Sequence, residues 1–222
     1  MKIDTYLQLL SDTEKKHSPE KLFFAGDENL LFDKRRVSVV GSRTASKEGL
    51  LRAKIVVKAL VQHDIIIVSG LAKGIDTMAH QRAIALGGKT IAVLGTPLNK
   101  VYPRENAPLL EVIKKGHLAI SQFPEGYPSQ PKNFPIRNRT MALISDATII
   151  IEATEKSGTR HQGWEALRLG REVFILENVV NDPKVQWAKE MMDYGAQILL
   201  RDNVDEVFEN IPYLTSKFED AF

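Results

Sequence analysis

Nine cations gather in a few loops that follow apolar runs. They are Arg43 in GSRTAS, Lys73 in SGLAKGID, Lys100 and Arg104 in GTPLNKVYPREN, Lys132, Arg137 and Arg139 in FPEGYPSQPKNFPIRNR, and Lys156 and Arg160 in EKSGTRHQG. Asp76, Glu105, Glu125 and Glu155 are interleaved with them, so these loops are basic in balance only. The small residues Gly41, Ser42, Ser69, Gly70, Ser157, Gly158 and Thr159 stand at loop-to-helix junctions. There, free backbone N–H groups and the positive helix end favour a phosphate. The densest stretch is FPIRNR, where Arg137 and Arg139 flank Asn138 directly after Phe134-Pro135. Pro135 suits the first turn of a helix. Residues two apart point to nearly opposite sides of a helix, so the two arginines do not grip one group. One faces a ligand and the other pairs inward, with Asp76 and Asp146 as candidate acids. The spacing does not decide which does which, and a wholly structural pair stays open.

Other chemistries find little footing. GSRTASKEG lacks the glycine spacing of a dinucleotide fingerprint, and IIIVSG ends without an acid for a ribose hydroxyl. GGKT at 87–90 precedes a strand, and Ala83 stands where a P-loop needs its first glycine. The five histidines show no pair at ligand spacing, there is no cysteine, and no G-x-S-x-G elbow occurs. We therefore expect no metal, no cofactor and no catalytic residue. Gly70 and Gly74 suit a tight turn, with Asp76 placed to cap the start of the following helix.

The elements that must position these loops follow from hydrophobic pattern. VSVVGS (37–42), IIIVSG (65–70), KTIAVLG (89–95), LAISQF (118–123), TIIIEAT (148–154), REVFILE (171–177) and AQILLRD (196–202) read as strands. Helical patterns lie between them. Alternation of this kind, with strands apolar almost throughout, predicts an α/β fold: a doubly wound, mostly parallel sheet in an extended Rossmann-like three-layer arrangement. Residues 1–35 read as a short helical lead-in with an extra strand, LFFAG. Residues 36–222 read as the Rossmann-like unit, and the two are expected to form one compact body. In such sheets ligands bind outside the carboxyl ends of the strands, where the basic loops fall. The formal charge of +2 gives no global field, so any nucleic-acid binding must be local. No apolar run reaches the ~20 residues of a membrane span and no leader pattern is present, so a cytoplasmic protein without membrane contact is expected.

PEKLFFAGDENLL, VSVVGSR, SGLAKGIDTMAH, YPREN, NFPIRNR, SDATIIIEATEKSGT and GREVFIL occur in an order that resembles the DNA-processing protein A (DprA/Smf) family over residues 19 to 178. The resemblance implies a Rossmann-like domain that binds single-stranded DNA, forms a homodimer, and acts in DNA uptake or recombination with the recombinase RecA. It implies a pocket of Ser42, Arg43, Ser69, Gly70, Lys132, Phe134, Arg137, Asn138, Arg139, Ser157, Gly158 and Thr159. Arginines and helix starts hold phosphates, and Phe134 can stack on a base. Neither the N-terminal helical module nor the C-terminal winged helix of many members is expected. RHQGWEALRLG and ENVVNDPKVQWAKEM also depart from the segments typical of the family.

The first of these departures suggests a rival. GTRHQGWE loosely resembles the G-G-x-G-T-x-x-E motif of the nucleotide phosphoribohydrolases of the Lonely-guy type, in which a glutamate serves N-glycosidic cleavage. Here the gap from Thr159 to Glu165 is longer, which sets the carboxylate about a turn further from the pocket. A nucleotide-sensing module without catalysis is a third reading of the same basic loops.

Overall fold

Five segments are buried at every position: β2 (Arg36–Val40), β3 (Ile66–Ser69), β4 (Thr90–Leu94), β5 (Leu118–Ser121) and β6 (Ala147–Ile150). Strands of that kind need cover on both faces. The computed structural model, which describes residues 3–214, supplies it. With β1 (Phe23–Gly26), β7 (Glu172–Leu176) and β8 (Gln197–Leu199), these strands form one sheet in the order β1-β5-β4-β3-β2-β6-β7-β8. All neighbours are parallel except β1, the LFFAG strand, which runs antiparallel to β5 with Phe23 opposite Ser121.

The helices are α1 (Ile3–Gln8), α2 (Asp12–Lys15), α3 (Lys47–Gln62), α4 (Ile75–Ala85), α5 (Ala107–Gly116), α6 (Asn133–Ile144), α7 (Thr159–Arg168), α8 (Glu177–Val180), α9 (Gln186–Asp193) and α10 (Val204–Glu209). Alternate strand residues divide between the two faces. Val37, Val39, Ile67 and Ile149 pack with Ala53, Val56 and Leu60 of α3, Ala79 and Ala83 of α4, and Phe208 of α10. Val40, Ile66, Val68, Ile91 and Val93 pack with α6, α7, α9 and the lead-in residues Tyr6, Leu10 and Leu22. The result is the three-layer α/β fold that the alternating pattern predicts. Each of the seven strands read between residues 37 and 202 ends earlier than the apolar run suggested, by one to four residues. The released residues form the loops at the carboxyl edge.

A buried ion pair anchors the opposite edge. Arg36 and Asp146 are wholly enclosed, with Nη2 3.3 Å from Oδ1, and Arg36 Nε donates to Ile144 O at 2.7 Å. Burial pushes the Asp146 carboxyl above the usual range against the pull of Arg36. Asp146 is thus taken by a strand residue and is not the acid for Arg137 or Arg139. Among the described residues no helix is long and apolar enough to cross a membrane, and no His, Asp and Glu group is placed to hold a metal.

His80 of α4 makes stability depend on pH. Thr90 Oγ1 donates to Ile67 O at 2.8 Å, so the 2.7 Å contact with His80 Nδ1 requires the imidazole to donate there. Nε2 is enclosed without a well-formed hydrogen bond, and the backbone contact with Ser69, which favours the charged ring, is outweighed by burial. Burial drives the His80 pKa down to about 3. The unfolded chain takes up this proton below pH ~6.5 and the folded chain does not, so stability falls as pH falls. Between pH 6.5 and 5 the loss is expected to be about 2 kcal/mol from this residue. His117, also depressed by burial, adds to the same trend. Urea unfolding across that window, repeated on His80→Asn, checks this: an equal slope in both proteins excludes His80 as the cause.

Candidate functional site

From β2 the chain winds through β3 and β4 to β5, whereas β6, β7 and β8 are added on the other side of β2. The loops after β2 and β6 therefore part, and a crevice opens between them, as open α/β sheets require at such a switch point. A cleft of about 290 Å³ lies there. Ser42 and Arg43 line it from the first loop, Lys156, Ser157, Gly158 and Thr159 from the second, and Asp76, Arg137 and Asn138 from α4 and α6.

Arg137 forms the floor. Only 4% of it is exposed. Nη1 donates to Val93 O at 2.8 Å and to Gly70 O, while Nε donates to Asn138 Oδ1 at 3.0 Å. Its guanidinium fills the space a Cβ on Gly70 would need, so glycine is required there for close approach. The turn itself is made by Leu71 (φ 56) and Gly74 (φ 77). Asp76 Oδ2 accepts the N–H groups of Gly70 (3.2 Å) and Ala72 (3.3 Å), fastening that turn. Burial pushes the Asp76 carboxyl up and pulls the Arg137 guanidinium down to about 10, while each stabilises the charge of the other. Both groups belong to the buried floor. That leaves Arg43 and Lys156 as the cationic excess of the cleft.

Arg43 is exposed and has no salt bridge among the described residues. Its Cζ lies 5.2 Å from the ring centre of Phe134, over which it stacks. Phe134 also meets Tyr102, with centroids 5.4 Å apart and planes tilted by 49°. These three residues, with Gly70, Ala72, Lys73 and Pro103, line a second hollow of about 50 Å³ beside the cleft. Tyr102 is 58% exposed and offers a free aromatic face.

The start of α7 supplies the opposite wall. Ser157 Oγ and Thr159 Oγ1 are 2.7 Å apart, and Asn138 Nδ2 donates to Gly158 O at 3.3 Å. Nothing lies within 4 Å of the position a Cβ on Gly158 would take, so this helix end is open. The N–H groups of Thr159, Arg160 and His161 bond within the turn, so the two hydroxyls, the Gly158 N–H and the positive end of the helix are what suit an anionic oxygen here.

The structure brings Ser42, Arg43, Gly70, Phe134, Arg137, Asn138, Ser157, Gly158 and Thr159 to the cleft and its side hollow. Three expected residues lie elsewhere. Ser69 is wholly buried and its hydroxyl donates to Val39 O at 2.7 Å, tying β3 to β2. Lys132 is exposed at the start of α6 and lines neither space. Arg139 turns outward to Glu165, Nε to Oε1 at 3.1 Å, and Glu165 also holds Arg168. Arg137 is therefore the inward arginine, and it also reaches the cleft. Sequence reasoning missed Tyr102, although an aromatic residue in a loop at the carboxyl edge was a usable signal.

Residues 2–212 match the model of the DNA recombination-mediator protein A family. The DNA processing protein DprA of Bacillus subtilis is 32% identical over 204 residues, which are 92% of this chain and 68% of that protein. The DprA of Streptococcus pneumoniae is 39% identical over 183 residues, which are 82% of this chain and 64% of that protein. Its crystal structure superposes with a TM-score of 0.80 at 34% identity, covering 92% of this chain and 73% of that one. A structure of DNA processing protein A from Helicobacter pylori shares the fold at 24% identity, with a TM-score of 0.79 over 99% of this chain and 94% of that one. Motif order, fold and these matches agree: the chain belongs to the DNA recombination-mediator protein A family.

Proposed function

We propose that the cleft binds single-stranded DNA, with phosphates held by Arg43, Lys156 and the start of α7 and a base against Phe134 and Tyr102. The observation that carries this reading is the pairing of an open, cationic helix start with an exposed aromatic face. Single-strand sites combine those two features, because every base has a π-face and stacks regardless of sequence. The Helicobacter pylori relative has a described single-stranded DNA binding mode, which supports the reading. By the same family argument the protein acts in the cytoplasm as a homodimer in DNA uptake or recombination, in partnership with RecA. The lead-in and the Rossmann-like part work in this as one unit.

A titration with single-stranded and duplex oligonucleotides of one sequence, at two salt concentrations, tests the ligand. Single strands are expected to bind more tightly, with log K falling by ~0.7 per phosphate neutralised for each tenfold rise in salt. Equal affinity for both forms, or no binding at low salt, rejects the reading.

The hydrolase reading finds no support at Glu165. Cleavage of an N-glycosidic bond needs a carboxylate free to stabilise an oxocarbenium-like centre or activate water. The carboxylate of Glu165 is engaged by Arg139 and Arg168 on the outer side of α7, and Glu165 does not line the cleft. We expect no release of free base from nucleoside monophosphates. Chromatographic detection of base that disappears in Glu165→Ala would restore the hydrolase.

A further inference from the structure

Glu152 is the first charged residue beyond β6 and stands two positions past its end. Its side chain turns away from the cleft to the start of α3. Oε1 accepts the Ser46 N–H at 2.9 Å and Oε2 accepts the Ser46 hydroxyl, while Ser46 Oγ accepts the Gly49 N–H at 2.9 Å. The main-chain oxygen of Glu152 accepts the Ser42 N–H at 2.8 Å. One residue thus holds both ends of the 42–46 loop, the loop that presents Ser42 and Arg43. It also belongs to the segment that leads to Ser157, Gly158 and Thr159. The segments that carry the two walls of the cleft are joined at this residue.

Gly49 supplies an independent sign of the arrangement. Glycine inside a helix is normally unfavourable relative to alanine. Here the space a Cβ on Gly49 would need is filled by the Glu152 carboxylate. The chain accepts a poor helix former in the first turn of α3 to seat an internal anion there.

We propose that Glu152 is a positioning residue whose carboxylate occupies the start of α3 as an external anion would. It fixes the 42–46 loop for ligand contact and reserves the start of α7 for phosphate. Anions are stabilised at helix starts by unpaired N–H groups and the helix dipole, and here the Glu152 carboxylate takes the Ser46 N–H while the Ser46 hydroxyl takes the Gly49 N–H. The proposal rests on the cleft being the single-stranded DNA site. Its distinct content is that a residue outside the cleft sets the affinity.

The experiment compares wild type, Glu152→Ala and Glu152→Gln for single-stranded oligonucleotide binding, with and without sodium formate, against sodium chloride at equal ionic strength. Glu152→Ala is expected to lose roughly tenfold in affinity, the order of one charge-assisted hydrogen bond. Formate, entering the vacated space, restores most of the loss and leaves wild type unchanged. Glu152→Gln, which keeps one acceptor oxygen and the side-chain volume, binds with intermediate affinity and carries the test if the alanine variant does not fold. Melting temperatures add a second reading: Gly49→Ala lowers Tm in wild type and raises it in the Glu152→Ala background. Unchanged affinity in both Glu152 variants, no specific effect of formate, or an equal Gly49→Ala shift in the two backgrounds overturns the proposal. Failure of wild type itself to bind at low salt removes the underlying reading instead.

Discussion

Arg137→Ala is expected to cost about 3–5 kcal/mol of folding stability, the range for removing one partner from a buried charged arrangement. The loss has identifiable parts. The carbonyls of Gly70 and Val93 lose their guanidinium donor. An enclosed acceptor without a partner costs about 1–3 kcal/mol. Asp76, buried and already raised in pKa, loses the cation that offsets its desolvation. The space beside Gly70 is left empty. Arg137→Lys recovers only part of the loss, because an ammonium cannot reproduce the planar fork. Arg139→Ala provides the contrast. Its side chain is 54% exposed and pairs with Glu165 at the surface, where ion pairs contribute ~0–1 kcal/mol. Urea unfolding of the three variants decides the matter. A larger loss for Arg139→Ala than for Arg137→Ala would reverse the assignment of inward and outward arginine.

That contrast marks how far the sequence could be read. The apolar runs that alternate with helical patterns, and the basic loops that follow them, specify the α/β architecture and its carboxyl edge, because hydrophobic period is a local property of the chain. The spacing of Arg137 and Arg139 required them to separate, and they do. Which one points inward depends on the rotation of α6 against β3 and β4, a tertiary fact with no local signature. Asp146 was a reasonable partner until Arg36 claimed it. An arginine at the edge of an apolar run reads as a strand flank, and nothing in the run indicates that its side chain is completely enclosed. Ser69 shows the same ambiguity on a smaller scale. A serine at a strand end suits a phosphate or a neighbouring carbonyl equally well, and the pleat sends this one to Val39 O. In the sequence Glu152 reads only as part of the TIIIEAT run. Its role depends on α3 starting beside β6, which strand order alone determines.

Arg43→Ala is expected to weaken single-stranded DNA binding by about 1.5–3 kcal/mol, roughly ten- to a hundredfold, the range for a hydrogen bond to a charged group. Little stability should be lost with it. Arg43 is exposed, and its main side-chain contact is the Phe134 face, worth ~0.5–1 kcal/mol at such a site. The salt dependence makes the prediction specific. If Arg43 neutralises one phosphate, the slope of log K against log salt becomes shallower by ~0.7 in the variant. Phe134→Ala should behave differently, because stacking contributes ~1–3 kcal/mol per base and releases no counterion. Its affinity falls while the salt slope stays at the wild-type value. Tyr102→Ala follows the Phe134 pattern, because its ring meets that of Phe134 on the wall of the same hollow. Anisotropy titrations of the three variants at several salt concentrations separate the two classes of contact. An unchanged slope in Arg43→Ala would remove it from the phosphate path. A shallower slope in Phe134→Ala would mean that the aromatic pair acts by holding Arg43 in place, not by stacking on a base.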